Sequence, residues 1–560
     1  MKNITILALA LFLSFSCDNT KDLKGLIADK AMVVSAREEA SKIGLQIMKD
    51  GGNAFDAMIA TEMALAVCYP FAGNLGGGGF MVYRTANGEY GSLDYREKAP
   101  QSAYRDMYLD SLGNVIPGLS TKTALAVGVP GTIAGIFEVH QKFGTVPMHE
   151  ILEPVIELAR QGVLITKNQK KRINKYRDLF LSINKDSIPL SYAWKQNDTL
   201  KNLELAQTLE RISINGKEEF YRGETGRKLV KFIEENDGII TLEDLKKYEA
   251  IWRKPISFDY DNLRVISMAP PSSGGICLAQ ILNGIEPYDL KKLKHNSTKS
   301  IQLIVEAERR AYADRSYFLG DPDFVDIPAN RLIDKQYMSD RMHNFSFKKA
   351  TKSEDINHGH LELVESKETT HYSIVDQFGN AVSATTTLNG AYGSKLYVPE
   401  LGFFLNNEMN DFSSKPGVPN MFGLIGAKAN EIAPEKRMLS SMTPTIIEKD
   451  GKLYMVLGSP GGSAIITSVL QTILNVHEYG MGMQKAVSQP RYHHQWLPDE
   501  IIMEPDGFDN TIKAQLTKLG YKVVEKETTV IGKVNAILVL PDGKLEGGAD
   551  PRGDEKAVGF

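Results

Sequence analysis

Apolar positions in this chain change their period along its length. From about Ala31 to Tyr317 they recur mainly at helical spacing with a few strands, and beyond Thr369 they alternate in short runs bounded by turn residues. Ala54 to Val67 is apolar on most sides and follows Asn53, an N-cap residue type, which predicts a core helix. Val155 to Gln161, Gly226 to Asn236 and Ile301 to Phe318 carry apolar residues at helical spacing with charges between them, predicting three more helices. After Thr369 the pattern changes. Tyr372, Ile374 and Val375 run into the turn signal Asp376-Gln377-Phe378-Gly379-Asn380 and then into the β-branched stretch Ala381 to Thr387, predicting a hairpin. A second hairpin is predicted from Pro444–Lys449, the Asp450-Gly451 turn and Leu453–Leu457. Gly458 to Gly462 breaks that strand, and a helical pattern resumes from Ser463 to Tyr479. Ile537 to Leu540 before Pro541-Asp542-Gly543 reads as a further strand. Antiparallel strands with helices laid against them predict a layered α/β architecture.

Composition narrows the picture without changing it. No Pro/Gly/Ser-rich linker divides the 560 residues, so one large globule or two intimately packed halves is expected. A net charge of −4 over this length provides no basic face for nucleic acid. The first residues stand apart: Lys2 precedes the apolar run Ile4 to Leu13, too short to span a membrane, and then comes Ser14-Phe15-Ser16-Cys17. This reads as an export signal. Its end resembles a bacterial lipoprotein signal with Cys17 as the first mature, lipidated residue, while Phe15 leaves a plain signal peptide as the alternative. The other cysteines, Cys68 and Cys277, are expected to be buried, inert thiols.

The candidate chemistry centres on Glu368-Thr369-Thr370-His371-Tyr372-Ser373. If the chain were cut before Thr369, the new α-amino group, with a reference pKa of about 7.7–8.0, would sit beside the threonine hydroxyl as a built-in base. Acyl transfer also needs donors aimed at the carbonyl oxygen. Gly461 and Gly462 lie where a strand gives way to a helix, so their N–H groups can face a ligand with the positive end of the helix dipole behind them. Two other signals lead elsewhere. Gly76 to Gly79 is followed by Phe80-Met81 rather than a Lys-Ser/Thr pair, which marks close backbone packing and no phosphate loop. His493-His494 lacks companions at ligand spacing, so no metal is expected.

Taken together the motifs resemble the γ-glutamyltranspeptidase family. Thr369–Ser373, Thr387-Leu388-Asn389, Leu405–Phe412, Leu439–Met442 and Gly458–Ser463 follow that family's order, and Asn74–Met81, Leu93–Glu97, Val129-Pro130-Gly131 and Pro270–Gly275 agree in the first half. The resemblance implies an N-terminal-nucleophile hydrolase fold, a four-layer αββα sandwich. It also implies a precursor with a signal over residues 1–16 that cuts itself between Glu368 and Thr369. The large subunit (17–368) and small catalytic subunit (369–560) would stay together as a heterodimer. Thr369 would be the nucleophile in both self-cleavage and catalysis, with Thr387 bonded to its hydroxyl and Gly461 and Gly462 as the oxyanion donors. Arg96 with Ser440 and Ser441 would take the α-carboxylate of a γ-glutamyl group; Asp411 with Glu408 and Asn389 would take its α-ammonium.

The implied activity is transfer of the γ-glutamyl group of glutathione and related amides to water or to amino-acid and peptide acceptors, without cofactor or metal. The enzyme would be exported, periplasmic or on the cell surface, touching a membrane only through a lipid on Cys17. Two alternatives stay open: a related amidase accepting glutaryl side chains, and an unprocessed surface binding protein. Pro416–Gly423 resembles a lid loop in which Phe422 replaces the family's frequent tyrosine, and Met438 replaces a frequent proline before Leu439.

Overall fold

In the computed structural model the chain is described at residues 23–356, 369–415, 417–421, 423–527 and 529–560. The proposed signal, Cys17, Glu368, Pro416 and Phe422 therefore lie outside the described residues. Two seven-stranded sheets form the centre. One runs Lys556–Gly559, Met32–Ser35, Thr370–Val375, Ala381–Thr387, Gly78–Arg84, Tyr90–Tyr95 and Ile251–Arg253 in spatial order, and its neighbours pair antiparallel. The other runs Leu26–Ala28, Leu545–Ala549, Asn535–Val539, Lys452–Gly458, Thr445–Lys449, Leu263–Ser267 and Ile256–Tyr260.

Burial divides the molecule into layers. The helix Ala54–Cys68 packs against the strands Thr370–Val375 and Ala381–Thr387, and the helices Gly274–Ile285 and Ala464–His477 pack against the second sheet. Met32, Val34, Phe80, Val82, Ile266, Ile446 and Val456 fill the space between the sheets. Helix, sheet, sheet, helix is the expected αββα sandwich.

Local rules account for the elements that set the site. Asn53 Oδ1 accepts from Phe55 N–H at 2.8 Å and Asp56 N–H at 3.0 Å, and Asp56 returns a bond to Asn53 N–H, closing a capping box. All fifteen residues of that helix are buried, as its all-round apolar pattern predicts. Its one carboxylate on the sheet side, Glu62, accepts the Tyr372 hydroxyl at 2.5 Å and so ties the helix to the strand that follows Thr369. Burial pushes the Glu62 pKa up to about 7.

The glycine run Gly76–Gly79 fits the close-packing expectation. A Cβ at Gly77 would stand 2.2 Å from the Thr387 carbonyl oxygen and one at Gly76 2.5 Å from that of Phe404. Cys68 and Cys277 are buried and unpaired, as expected. Among the described residues no helix is long and apolar enough to cross a membrane.

Candidate active site

Thr369 stands immediately before the Thr370–Val375 strand and is 5% exposed. Strand alternation sends Tyr372 and Ile374 into the helix layer and His371 and Ser373 between the sheets. Thr369 shares the parity of His371 and lines a small pocket with Arg96, Arg315, Thr387, Asn389, Glu408, Asp411, Leu424, Ser440, Ser441, Met442, Gly462 and Ile465. Residues from eight separate stretches of sequence meet in this one pocket.

The floor beneath Thr369 is polar, and its imidazole is bonded on both nitrogens. His371 Nδ1 pairs with Thr385 Oγ1 at 2.9 Å and Nε2 with Ser373 Oγ at 3.1 Å; Asn535 Nδ2 donates to the His371 carbonyl at 2.9 Å. Burial drives the His371 pKa down to about 3, so the imidazole is neutral at physiological pH. It packs so closely on Gly458 that any Cβ there would meet Cε1 at 2.3 Å, which locks the strand leading to the glycine turn.

That turn has φ of 138° at Gly461 and 56° at Gly462, left-handed values that favour glycine, and the helix Ala464–His477 starts directly after it. The carbonyls of Gly461 and Gly462 accept from Ala464 and Ile465 N–H. Their own N–H groups have no partner among the described residues. Gly462 lines the pocket; Gly461 sits one position back in the same turn and does not. A free Gly462 N–H at a helix N-terminus, in the same pocket as the Thr369 hydroxyl, suits an anion.

The opposite wall carries charge. Arg96 is buried and donates through Nη2 to Asp411 Oδ2 at 2.6 Å; its Nη1 stands 2.7 Å from Glu408 Oε2 and 3.7 Å from Glu97 Oε2. Burial alone would lower the Arg96 pKa, but Glu408, Glu97 and Asp411 outweigh it and hold the guanidinium above its ordinary value. The carboxyls respond in the opposite sense. Burial raises Glu408 and Asp411 against the pull of Arg96, and pushes Glu97 up to about 8. The Glu97 oxygens form no hydrogen bond among the described residues.

Asn389 sits at φ 70° and is held by its amide, which donates to the Asn407 carbonyl at 3.1 Å. Its buried Oδ1 has no partner. Thr387 ends the strand paired with the one that follows Thr369, and its Oγ1 accepts from Asn389 N–H at 2.7 Å. Ser440 and Ser441 form a third wall, tied to the Pro270–Ser273 segment through Ser440 N–H to the Pro271 carbonyl at 2.8 Å. Met438 contributes its carbonyl to Arg96 Nε at 3.4 Å.

The segment that resembles a lid loop reaches the site at Asn420, whose Nδ2 donates to Asp411 Oδ1 at 3.2 Å, and Leu424 just beyond it lines the pocket. Sequence reasoning did not single out Arg315 or assign a role to Glu97. His493, by contrast, is bonded to Thr467 Oγ1 at 2.9 Å and Gln495 Oε1 at 2.9 Å, a structural role beside the glycine turn.

Charge in this cluster predicts a pH effect. The folded Glu97 pKa of about 8 lies above the ordinary 4.5, so the stability linked to its protonated form is full below about pH 4.5 and is lost as pH climbs through about 8. Glu97→Gln is expected to shrink the fall in melting temperature between about pH 6 and pH 9 relative to wild type. Melting curves showing a fall of wild-type size in the variant would contradict this.

Antiparallel sheets stacked between helices, with a threonine at a strand start facing a glycine turn, define the class of the N-terminal-nucleophile hydrolases. Comparison with known proteins agrees. The model of the γ-glutamyltranspeptidase family matches residues 40–560. A glutathione hydrolase proenzyme of Escherichia coli K12 is 45% identical over 538 residues, 95% of this chain and 92% of that protein. A γ-glutamyltranspeptidase of Helicobacter pylori superposes with a TM-score of 0.56 at 40% identity, covering 62% of this chain and 99% of that one. A cephalosporin acylase of Bacillus halodurans shares the fold, with a TM-score of 0.86 at 24% identity over 98% of this chain and 99% of that one. This chain belongs to the γ-glutamyltranspeptidase family.

Proposed function

We propose that the chain is made as a proenzyme which cuts itself before Thr369, yielding subunits 17–368 and 369–560 that stay associated, and then acts as a γ-glutamyltransferase and glutathione hydrolase. Its donors are glutathione and other γ-glutamyl amides, and its acceptors are water or amino acids and peptides. The observation that carries the reading is the shared pocket: Thr369, the free N–H of Gly462, and buried groups of both charges within one small cavity.

In maturation Thr369 Oγ1 attacks the Glu368 carbonyl carbon, the C–N bond breaks, and the nitrogen takes the proton to become a free α-amine; water then cleaves the resulting ester. The freed amine serves as base in turnover. Thr369 Oγ1 loses its proton to the amine and adds to the γ-carbonyl of the donor, and the oxyanion is held by the N–H groups of Gly461 and Gly462. Collapse expels the donor's amine with that proton and leaves a γ-glutamyl ester on Thr369, which water or an acceptor amine resolves.

Recognition follows from the walls. Arg96, Ser440 and Ser441 donate to the α-carboxylate, while Asp411, Glu408 and the unpartnered Asn389 Oδ1 accept from the α-ammonium. Arg96 is held by Asp411 and Glu408, so a zwitterionic head group would set its carboxylate on the cation and its ammonium on the acids of one pre-formed cluster. Export belongs to the same reading, through the leader at residues 1–16 and either a lipid on Cys17 or a plain signal peptide.

A glutaryl group has no ammonium and would leave Asp411, Glu408 and Asn389 facing nothing, a penalty of at least about 10²-fold in kcat/KM. Release of the aniline from γ-glutamyl and glutaryl anilides tests this: faster γ-glutamyl cleavage supports the reading, and faster glutaryl cleavage overturns it.

A further inference from the structure

Arg315 lies in the last turn of the helix Thr298–Phe318 and is 4% exposed, yet among the described residues no carboxylate forms an ion pair with it. A buried guanidinium without a counter-ion is costly to keep. Its hydrogen bonds go to hydroxyls instead: Nε–H to Ser273 Oγ at 2.9 Å and Nη2–H to Ser441 Oγ at 3.1 Å.

A guanidinium can only donate, so it fixes the Ser441 oxygen as an acceptor and leaves the Ser441 proton for the pocket. Ser440 Oγ is treated alike, accepting Met442 N–H at 3.1 Å. Ser273 links the two halves, accepting from Arg315 while donating to the Ser440 carbonyl at 2.7 Å. Asp411 feels this charge from a distance, but no acid pairs with it directly among the described residues, and two adjacent hydroxyls with available protons backed by such a cation suit a carboxylate. Arg96, across the pocket, is already neutralised by Asp411 and Glu408.

We infer that Arg315 is a positioning residue that orients Ser441 and supplies, through the serine pair, the counter-charge for the α-carboxylate of the γ-glutamyl donor. The inference rests on the γ-glutamyl reading above and adds to it a residue that sets specificity from behind the contact layer. Arg96 and Arg315 then divide the work. The first balances the acidic wall and is shared with substrate on binding, while the second is committed to the carboxylate side throughout.

The test uses the mature, two-fragment protein, with maturation of each variant checked on a denaturing gel. Wild type, Arg315→Met, Arg315→Lys, Ser441→Ala and the Met/Ala double variant are compared on a γ-glutamyl anilide and on its analogue bearing an α-carboxamide. Where the analogue turns over too slowly, its strength as a competitive inhibitor gives the same comparison. Arg315→Met is expected to raise KM for the acid about tenfold or more with kcat changed less than about threefold, and to collapse the preference for acid over amide. Arg315→Lys should keep an intermediate preference, and adding Ser441→Ala to Arg315→Met should cost little more. Equal losses on both substrates, or an unchanged preference, would overturn the inference and leave Arg315 a structural tie. If the Met variant fails to mature, the preference of the Lys variant decides: reduced supports, unaltered overturns. Absence of γ-glutamyl cleavage in wild type would instead sink the underlying reading.

Discussion

Thr369→Ala is expected to remain a single uncut chain and to lose hydrolysis of γ-glutamyl anilides by at least about 10⁴-fold. Both losses have one cause. The same oxygen attacks the preceding carbonyl during maturation and the donor during turnover, and without it neither the cut nor the α-amine base arises. The pocket has no substitute in reach, since His371, the nearest imidazole in sequence, is bonded on both nitrogens beneath the strand and buried as the neutral form. Thr369→Ser separates chemistry from packing: it keeps hydroxyl and amine and is expected to mature and retain part of the activity. Denaturing gels with the anilide assay check both variants, and a cleaved, active alanine variant would refute the assignment.

The second large effect is expected at Arg96. Glu97, Glu408 and Asp411 all lie around this buried cation, and removing one partner of a buried ionic cluster leaves the others uncompensated. Arg96→Gln is therefore expected to lower stability by about 3–5 kcal/mol and to raise KM for γ-glutamyl donors steeply. Arg96→Lys keeps the charge but not the planar fork that reaches Asp411 and Glu408 together, so it should recover much of the stability and little of the affinity. Unfolding curves and KM values measured side by side check this. An Arg96→Gln protein as stable as wild type with unchanged KM would show that the cluster does not depend on its arginine.

Much of this arrangement is legible in the chain itself, because it rests on short-range rules. The hairpin Thr370–Thr387 follows from β-branched residues around the turn Asp376 to Asn380, the helix Ala54–Cys68 from its cap and all-round apolarity, and the glycine turn from a strand that ends where a helix begins. What escapes is burial that runs against local pattern. The helix Thr298–Phe318 carries charges between apolar residues, which ordinarily marks a solvated face, yet Glu306, Glu308, Arg309, Arg310, Asp314 and Arg315 are all buried. Their partners come from distant stretches: Arg310 bonds Asn344, and Arg315 bonds Ser273 and Ser441.

The strands Gly78–Arg84 and Tyr90–Tyr95 were hidden for a related reason. Glycines depress strand propensity, and only the Gly78–Thr387 pairing shows why they are tolerated. Nor does local sequence reveal that Arg96 is engaged by Asp411 and Glu408, since those pairs close over more than three hundred residues of chain.

The central claim is that Thr369 becomes a terminal nucleophile which carries the γ-glutamyl group. Intact mass spectrometry of protein quenched in acid during turnover of a γ-glutamyl anilide tests it most directly. The account predicts a small fragment beginning at Thr369, part of it heavier by one γ-glutamyl group, with fragmentation placing that group on Thr369. An active protein that is a single uncut chain, or one whose adduct sits on another residue, would contradict it.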